Sequence, residues 1–411
     1  MPVRSSVAQS LRYGDGQCFE FKLDLSRIVR RHRPPEPCAD FVAEVQQQLQ
    51  TPLDFPPLEM TVVPEDKIAI ALDRNTPGAA QVIAGMWSHF ERRSVRPKNV
   101  TILQPASWQV GNLPDPRAAL PKSVRAAVNW IVHDATDKKR EAYLANSANG
   151  ERIYLAREIV DADLVLPVGS VGFDPLLGIR NASSAIFPGL SNVDAMAKAR
   201  GQDHSELRPE DDRPLRQLQD EVAWLSGVQL GIQVLPGVCG QPAGVLCGAL
   251  ESVTTAGRIW LKQNWHVELP QRCEVVVAAV DADASGTTWD QIGAALQTAR
   301  NLVQRGGKIV LITNHSAEPS EGFEFLRQSE TPREALKPLR IESPPDLIPA
   351  SRLASAADWA TVYLLSRLSN DVVESLSMTP LATEAEAARL LGRGGSCLLL
   401  EGAQHTFGYV A

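Results

Sequence analysis

Apolar runs separated by polar, helix-forming stretches recur along the first part of the chain. Residues 67–72 read KIAIAL, stop at a polar loop at 73–78, and give way to a helical pattern through about Arg93. Further apolar runs occupy residues 99–103 and 162–168. Because these runs are apolar at consecutive positions, they predict strands that are buried on both faces of a parallel sheet.

The same order of strand, helix and strand begins again in the last third of the chain. Residues 273–280 predict a strand, residues 289–304 a helix, and residues 308–313 the next strand. The pair Gly306-Gly307 stands where the glycine that ends a helix is expected. This pattern predicts a second strand–helix–strand unit that is separate from the first.

The end of the chain adds one more helix and one more strand, at residues 385–391 and 397–400. Alternating strands and helices are typical of parallel sheets with helices packed on them. The sequence therefore predicts an α/β fold of two domains, each with a mainly parallel sheet covered by helices. We place the domains at residues 1–268 and 269–411, with a cleft between them.

The composition is that of an ordinary globular protein: 44% of the 411 residues are hydrophobic, 22% are charged, and the formal net charge is −7. The negative charge disfavours nucleic acid as a partner, because it repels phosphate backbones. Residues 1–12 lack the apolar core of a signal peptide, and no window is apolar enough to span a membrane. We therefore expect a cytoplasmic protein without a membrane partner.

The cysteines and the densest basic cluster carry no clear chemistry. The six cysteines are scattered without a CxxC pair, which predicts reduced thiols in a reducing compartment. The basic cluster at residues 30–33 is followed at once by a proline-rich stretch at 34–37. Such a short cluster predicts a solvated turn.

In an open parallel sheet, ligands bind outside the carboxyl ends of the strands, where loops lead into helices. The loops expected there are residues 73–78, 104–109, 169–188, 281–289 and 314–322. None of them contains a GxGxxG fingerprint, a P-loop or an HExxH motif. A standard dinucleotide or nucleoside triphosphate site is therefore not indicated.

One of these loops has the composition of an anion-binding site. It contains Arg180, Asn181, Ser183 and Ser184 ahead of a predicted helix. A guanidinium group and free backbone N–H groups both favour negative charge. The alternative is an ordinary connecting loop in which a serine caps the helix.

Several short motifs occur in an order similar to that of lactate racemase-like proteins. They are LRYGDG at 11–16, the segment at 53–58, Asp73 with Thr76-Pro77, FPG at 187–189, and Asp358-Trp359. The chain resembles this family over nearly its whole length, as a divergent member. The resemblance implies two α/β domains with a cleft between them. Active members of the family are isomerases that interconvert 2-hydroxy-acid stereoisomers, passing a hydride to and from a nickel-pincer nucleotide.

The family's substrate clamp is altered in this chain. The family pattern after the first strand is Asp-x-Thr-Arg-Pro, whose arginine binds the substrate carboxylate, whereas this chain reads Asp73-Arg74-Asn75-Thr76-Pro77. Thr76 stands at the arginine position, and Arg74 lies two residues earlier. We expect Asp73, Arg74 and Thr76 to line the ligand site. A bidentate carboxylate clamp does not survive such a shift without rebuilding.

The two acid/base histidines of the family are also replaced. The first belongs to a Thr-Gly-x-His-Arg motif, where this chain has Trp108 and Gln109, neither of which carries protons near neutral pH. Counting back from the FPG motif places Asp174 at the second position. A carboxylate accepts a proton near neutrality if burial raises its pKa, so Asp174 is a candidate catalytic residue.

The same count places Ser184 where the family has the lysine that forms a thioamide with the cofactor, so covalent attachment is not expected. The nickel-ligating histidine falls on Arg200, whose protonated guanidinium does not bind nickel. His204, one helical turn further on, is a second candidate catalytic residue. Its alternative interpretation is an exposed loop histidine. We assign no metal ligand, and the cofactor of this chain stays unknown.

A further family lysine is expected near Gly293-Ala294, where this chain has no charge. Gln291 keeps a polar side chain nearby and is a candidate ligand-binding residue. Trp359 matches a family tryptophan beside the cofactor, and without the resemblance it would be interpreted as a core residue.

The substrate arginine, both histidines and both lysines are thus replaced while the strand and loop frame persists. The sequence predicts a divergent lactate racemase-like protein that binds a small anionic molecule in the cleft and has lost ordinary lactate racemisation. One alternative is a 2-hydroxy-acid or sugar-acid racemase or epimerase with a site rebuilt on Asp174, Arg74 and His204. The other is a non-catalytic interaction or regulatory protein.

Overall fold

The computed structural model describes residues 6–106, 113–199, 207–283 and 286–411. Its β-strands are β1 (Ser6–Tyr13), β2 (Gln17–Asp24), β3 (Ile28–His32), β4 (Ile68–Leu72), β5 (Val100–Pro105), β6 (Asn129–His133), β7 (Glu141–Asn146), β8 (Arg152–Ala156), β9 (Leu164–Ser170), β10 (Gly172–Asp174), β11 (Gly178–Arg180), β12 (Leu230–Pro236), β13 (Pro242–Ala249), β14 (His266–Leu269), β15 (Cys273–Ala279), β16 (Val303–Ile312), β17 (Thr361–Leu365), β18 (Thr379–Leu381), β19 (Cys397–Leu400) and β20 (Phe407–Val410).

The α-helices are α1 (Phe41–Gln50), α2 (Leu58–Thr61), α3 (Ala79–Arg92), α4 (Lys122–Ala127), α5 (Arg157–Val160), α6 (Val193–Ala199), α7 (Pro214–Leu225), α8 (Leu250–Trp265), α9 (Trp289–Leu302), α10 (Glu321–Gln328), α11 (Pro332–Glu342), α12 (Leu347–Trp359), α13 (Asn370–Ser375) and α14 (Glu384–Leu391). Short 3-10 helices span Leu25–Arg27, Pro97–Asn99, Lys138–Arg140, Ala182–Ala185, Val238–Gly240 and Ala403–His405.

The chain forms two compact units that are not simply consecutive segments. The first unit consists of Glu36–Gly237 and Gln241–Gln263. The second unit combines Met1–Pro35, Val238–Gly240 and Asn264–Ala411. The domain boundary near residue 268, and the cleft that the sequence analysis expected, stay predictions.

The first unit is built on a six-stranded sheet in the order β13-β12-β9-β4-β5-β6. Its strands are parallel except for β13, which pairs antiparallel with β12. Strands β4, β5 and β9 lie where the sequence predicted the first three apolar strands. The mainly parallel sheet confirms the predicted α/β fold class.

Burial on both faces explains why the sequence of β4 shows no polar alternation. Ile68, Ile70 and Leu72 enter one core cluster, with residues of α1 and α3. Ala69 and Ala71 enter the cluster on the opposite face, with residues of α5, α7 and β8. Side chains of a strand alternate between faces, so two apolar cores require apolar residues at every position.

The second unit contains a six-stranded parallel sheet in the order β18-β17-β16-β15-β19-β3. On one face, Val276 and Ala278 of β15 pack among residues of α9 and α12. On the other face, Val275 and Val277 pack among residues of α14 and the antiparallel hairpin β1–β2. The amino-terminal hairpin therefore supplies part of the core of the carboxyl-terminal sheet.

The structure corrects two details of the sequence analysis. The basic cluster at 30–33 is not simply a solvated turn, because β3 (Ile28–His32) pairs in parallel with β19 and His32 is buried. The pair Gly306-Gly307 does not end a helix: α9 already stops at Leu302, and both glycines lie in β16. A Cβ at Gly307 would lie 2.7 Å from the Glu274 carbonyl oxygen, so this glycine permits a close approach to β15 beside a register shift.

We expect Phe19→Ala to destabilise the second unit strongly, because Phe19 is fully buried and stacks on Phe21 at 4.8 Å between ring centroids. Removing a buried phenylalanine ring costs about 3–5 kcal/mol. Urea denaturation followed by circular dichroism measures the loss. Leu25→Ala, at a residue that is 51% exposed, is the control and should change the midpoint little. Equal midpoints for the two variants would contradict the place of the hairpin in this core.

Candidate functional site

The carboxyl ends of β4 and β9 form the center of the predicted ligand site in the first unit. Asp73 directly follows β4, and its backbone N–H donates to the Val168 carbonyl of β9 at 2.8 Å. Thr76 is buried, and its hydroxyl donates to the Asp73 carbonyl at 2.9 Å. Thr76 therefore closes the turn after β4. Arg74, in the same turn, is half-buried.

The loop that was predicted to bind anions lies directly against this turn. A Cβ at Gly169 would lie 3.2 Å from the Ala182 Cα, 3.3 Å from the Asn181 carbonyl oxygen and 3.5 Å from the Asp73 Cβ. Only a glycine at the end of β9 permits this approach without a shift of the backbone. The structure thus brings Asp73 together with the residues from Asn181 onward.

Arg180 joins the two loops by an ion pair. Its Nη1 lies 3.8 Å from Asp73 Oδ2, and the two side chains are 25% and 18% exposed. The Arg180 Nε is buried and has no hydrogen-bond partner. The guanidinium therefore pairs with a neighbouring carboxylate at a distance too long for a direct hydrogen bond, and it keeps an unsatisfied buried donor.

Two of the three neutral side chains beside Arg180 are committed to local structure. Asn181 Oδ1 accepts from the Ser183 backbone N–H at 3.0 Å, and Ser184 Oγ accepts from the Asn181 N–H at 3.1 Å. Gln219 of α7 joins both, donating to Asn181 Oδ1 at 3.0 Å and accepting from Ser184 Oγ at 3.2 Å. This is a helix-capping arrangement. Ser183 differs, because its hydroxyl is buried without a partner.

The candidate catalytic residue Asp174 is held in a turn. Its Oδ1 accepts from the backbone N–H groups of Leu176 and Leu177, both at 2.8 Å. In the hairpin β10–β11, Asp174 pairs with Gly178, whereas Arg180 pairs with Gly172. The hairpin thus places Asp174 beside its turn and Arg180 at its open end.

Other predicted positions lie outside the described residues. His204 and Arg200 fall in the gap between 199 and 207, and Trp108 and Gln109 in the gap between 106 and 113. Among the described residues, no three His, Cys, Asp or Glu side chains are grouped as a metal site requires. No helix in the described part of the chain is long and apolar enough to cross a membrane.

A second set of buried polar residues lies at the carboxyl ends of three neighbouring strands in the second unit. Asp281 follows β15, Glu401 follows β19, and His32 ends β3. The exposed fractions of these residues are 0%, 3% and 6%. The sequence predicted Asp281 only as part of a loop and did not indicate Glu401 or His32 as site residues. Glu401 could have been found from the sequence, because it is an acidic residue directly after an apolar strand, as Asp73 is.

The negative charge of Glu401 is balanced by nearby arginines, whereas the His32 ring itself carries no charge. The Glu401 carboxylate lies 3.5 Å from Arg12 Nε and 3.8 Å from Arg31 Nη2. Burial, together with the charge of Arg30, lowers the pKa of His32 to about 4. The His32 ring, at 5.3 Å from the Trp265 ring between centroids, is therefore uncharged near neutral pH.

Asp281 is the most perturbed carboxyl group at this edge. Burial, with a smaller contribution from Glu401, raises its pKa to about 7 against the opposing effects of the hydrogen bond from the Cys239 backbone N–H and of the Arg12 charge. That bond joins the Cys239 N–H to Asp281 Oδ2 at 2.9 Å, while Oδ1 is buried without a partner. Asp281 therefore changes protonation near neutrality.

The two ligand-binding candidates of the second unit lie at opposite ends of its sheet. Gln291 belongs to the capping box of α9, where it accepts from the Thr288 N–H at 2.8 Å and donates to Asp283 Oδ2 at 3.1 Å. It lies near the carboxyl end of β15. Trp359 ends α12, and its Nε1 donates to the Val303 carbonyl at 3.1 Å, at the amino end of β16.

The protein belongs to the α/β class: its two main sheets are mainly parallel, and polar groups of both units lie at the ends of the strands. The family model for the lactate racemase N-terminal domain matches residues 13–206. This part of the chain is therefore similar to the lactate racemase N-terminal domain, as the sequence motifs indicated.

Solved structures agree with this fold over nearly the whole chain. The lactate racemase apoprotein from Thermoanaerobacterium thermosaccharolyticum gives a TM-score of 0.77 at 16% sequence identity, covering 98% of this chain and 100% of that one. A Thermotoga maritima protein from the Northeast Structural Genomics Consortium gives a TM-score of 0.65 at 9% identity, covering 92% and 100%. No curated protein matches the sequence.

We expect Asp281→Asn to stabilise the protein more at pH 7.5 than at pH 4.5. The pKa of Asp281 is about 7 in the folded protein and near 4 in the unfolded chain. Its contribution to the free energy of unfolding is therefore complete below pH 4 and is lost as the pH rises towards 7. The amide cannot ionise. The free energy of unfolding of the variant, relative to that of the wild type, should therefore be higher at pH 7.5 than at pH 4.5 by on the order of 3 kcal/mol.

Urea denaturation at both pH values measures the difference. Asp371→Asn, the same chemical change at an exposed residue in the first turn of α13, is the matched control and should show no such gain. If Asp281→Asn and wild type respond to pH alike, Asp281 does not titrate near neutrality.

Proposed function

We propose that this lactate racemase-like protein binds a small anionic molecule at the carboxyl ends of β4 and β9, and that ordinary lactate racemisation is not its activity. The observation that carries the proposal is the pair of unsatisfied donors, Arg180 Nε and Ser183 Oγ. A buried donor without a partner costs free energy, which an accepting ligand recovers. A carboxylate or phosphate is the ligand that a guanidinium binds best.

Asp73 sets the strength of such binding. Its carboxylate, 3.8 Å from the Arg180 Nη1, already supplies part of the negative charge that the guanidinium attracts. An incoming anion therefore gains from Arg180 and is repelled by Asp73. We infer that the free protein holds Arg180 ready beside Asp73, and that a ligand with two or more acceptor oxygens competes for it.

The residues present do not fit a covalently held nickel-pincer nucleotide. Ser184, at the position of the attaching lysine, has no amine, and its hydroxyl is engaged by Asn181 and Gln219. Gln291, near the second lysine position, is engaged in the capping box of α9. The described residues also offer no cluster of metal ligands. We therefore derive no chemical step through this cofactor.

A racemase or epimerase with a rebuilt site is the second candidate. It requires Asp174 as a proton acceptor, and Oδ1 of this residue already accepts two backbone hydrogen bonds at 2.8 Å. The ligand-binding proposal is better supported, since it uses donors that lack partners. Chiral chromatography of L-lactate and of sugar acids incubated with the protein separates the two, because only the second candidate produces the other stereoisomer.

We expect Arg180→Gln and Asp73→Asn to change anion binding in opposite directions. Losing the guanidinium removes the charge-assisted hydrogen bonds and should weaken binding at least about tenfold. Losing the carboxylate removes repulsion and should strengthen binding a few-fold. The measurement is the melting temperature against increasing concentrations of 2-hydroxy acids such as L-lactate, at constant ionic strength.

Ser184→Ala is the matched control, since its hydroxyl belongs to the cap rather than to the free donors. It should lower the melting temperature without removing the response to the anion. If no 2-hydroxy acid stabilises the wild type, or if Arg180→Gln responds as the wild type does, Arg180 serves only its ion pair with Asp73.

A further inference from the structure

Three arginine side chains surround the indole ring of Trp359 in the second unit. Their Cζ atoms lie 4.9 Å (Arg272), 5.4 Å (Arg300) and 5.5 Å (Arg305) from the ring centroid. We call these four residues the Trp359 cluster. Each distance is within the range of a cation–π contact, but three such contacts on one ring concentrate three positive charges in a small volume.

The cluster is fixed to the amino-terminal edge of the parallel sheet. Arg272 directly precedes β15, Arg305 lies near the start of β16, and Trp359 precedes β17. The Trp359 Nε1 donates to the Val303 carbonyl at 3.1 Å, and Arg272 Nη1 donates to the carbonyls of Arg300 and Val303 at 3.1 and 3.3 Å. Backbone contacts therefore hold the ring and one guanidinium in place.

The three guanidinium groups of the cluster have only a partial counter-charge, from Asp358 acting on Arg300. Within the described ranges, no carboxylate lies within ion-pair distance of Arg272, Arg300 or Arg305. Burial lowers the pKa of Arg300, and the charge of Arg272 lowers it further, while Asp358 opposes both. The Arg300 Nε is also buried without a hydrogen-bond partner. Arg300 is thus destabilised in three ways: by burial of its charge, by repulsion from Arg272, and by a donor without a partner.

We propose that the Trp359 cluster is a binding site for the phosphate group of a small molecule. A phosphate carries close to two negative charges near neutral pH and offers several acceptor oxygens, so it can accept from more than one guanidinium and reduce their repulsion. The half-buried ring of Trp359 and the exposed side chain of Arg305 leave an approach from solvent. The inference does not depend on the proposed function, since it uses other residues.

The test uses the melting temperature of the full-length protein with inorganic phosphate, pyrophosphate and glycerol phosphate, each compared with chloride at the same ionic strength. A ligand that binds the folded state raises the melting temperature with its concentration. We expect a rise with phosphate and a larger one with pyrophosphate. Comparing glycerol phosphate with inorganic phosphate shows whether the site prefers a phosphate ester or free phosphate. The preferred ligand is the one that raises the melting temperature at the lower concentration.

Arg305→Gln is the decisive variant, because Arg305 is exposed and its loss leaves the fold intact. It should weaken phosphate binding about tenfold while leaving the melting temperature without phosphate unchanged or raised, because one repelling charge is gone. Arg305→Lys should retain part of the response. A purely structural arginine would instead lower the melting temperature when replaced, without any change in the response to phosphate.

Arg389→Gln, at a side chain that is 77% exposed on α14, is the matched control and should keep the phosphate response that Arg305→Gln loses. Arg180→Gln is measured beside it, because Arg180 is the anion-binding residue proposed for the first unit. The proposal is overturned if phosphate and pyrophosphate raise the melting temperature of the wild type no more than chloride does. It is also overturned if the melting temperature of Arg305→Gln responds to phosphate as that of the wild type does. Loss of the response in Arg180→Gln alone would place the phosphate in the other site.

Discussion

Burial of parallel strands on both faces is the constraint on which the rest of this structure depends. Strands β4 and β15 each send alternate side chains into two separate apolar cores. At the positions that enter these cores there is no room for a polar side chain, because an unpaired polar group in either core is costly. Glu274, the one charged residue of these two strands, is exposed and lies outside both cores. Polar residues are therefore displaced to the strand ends, where Asp73, Asp281 and Glu401 lie.

Most polar groups at these ends serve the fold itself. Asn181 and Ser184 form a cap with Gln219, and Glu401 is balanced by two arginines. Some buried groups have no hydrogen-bond partner, and four of them support the functional proposals. Two of the four lie in the first unit, the donors of Arg180 and Ser183, which suit an anion. In the second unit, Asp281 Oδ1 suits a proton, and Arg300 Nε belongs to the cationic Trp359 cluster.

The sequence predicted the features that local patterns determine. Continuous apolar runs identified β4, β5, β9 and β15, and the family motifs identified the fold. Long-range contacts escaped prediction: Gln219 lies 38 residues from Asn181, yet it fixes that side chain. Gly306-Gly307 looked like a helix end because no local signal shows the close approach to β15. The strand formed by 28–32 was missed because its neighbour, β19, is distant in sequence.

We propose that the lactate racemase-like fold persists while the groups that would hold the family cofactor are replaced by residues that serve the fold, such as Ser184. Native mass spectrometry, with metal analysis and an intact-mass measurement after denaturation, tests it on protein co-expressed with the enzymes that make the nickel-pincer nucleotide. The account predicts the mass of the unmodified chain and no stoichiometric nickel. One nickel per chain, together with a mass increase of nucleotide size that survives denaturation, would contradict it.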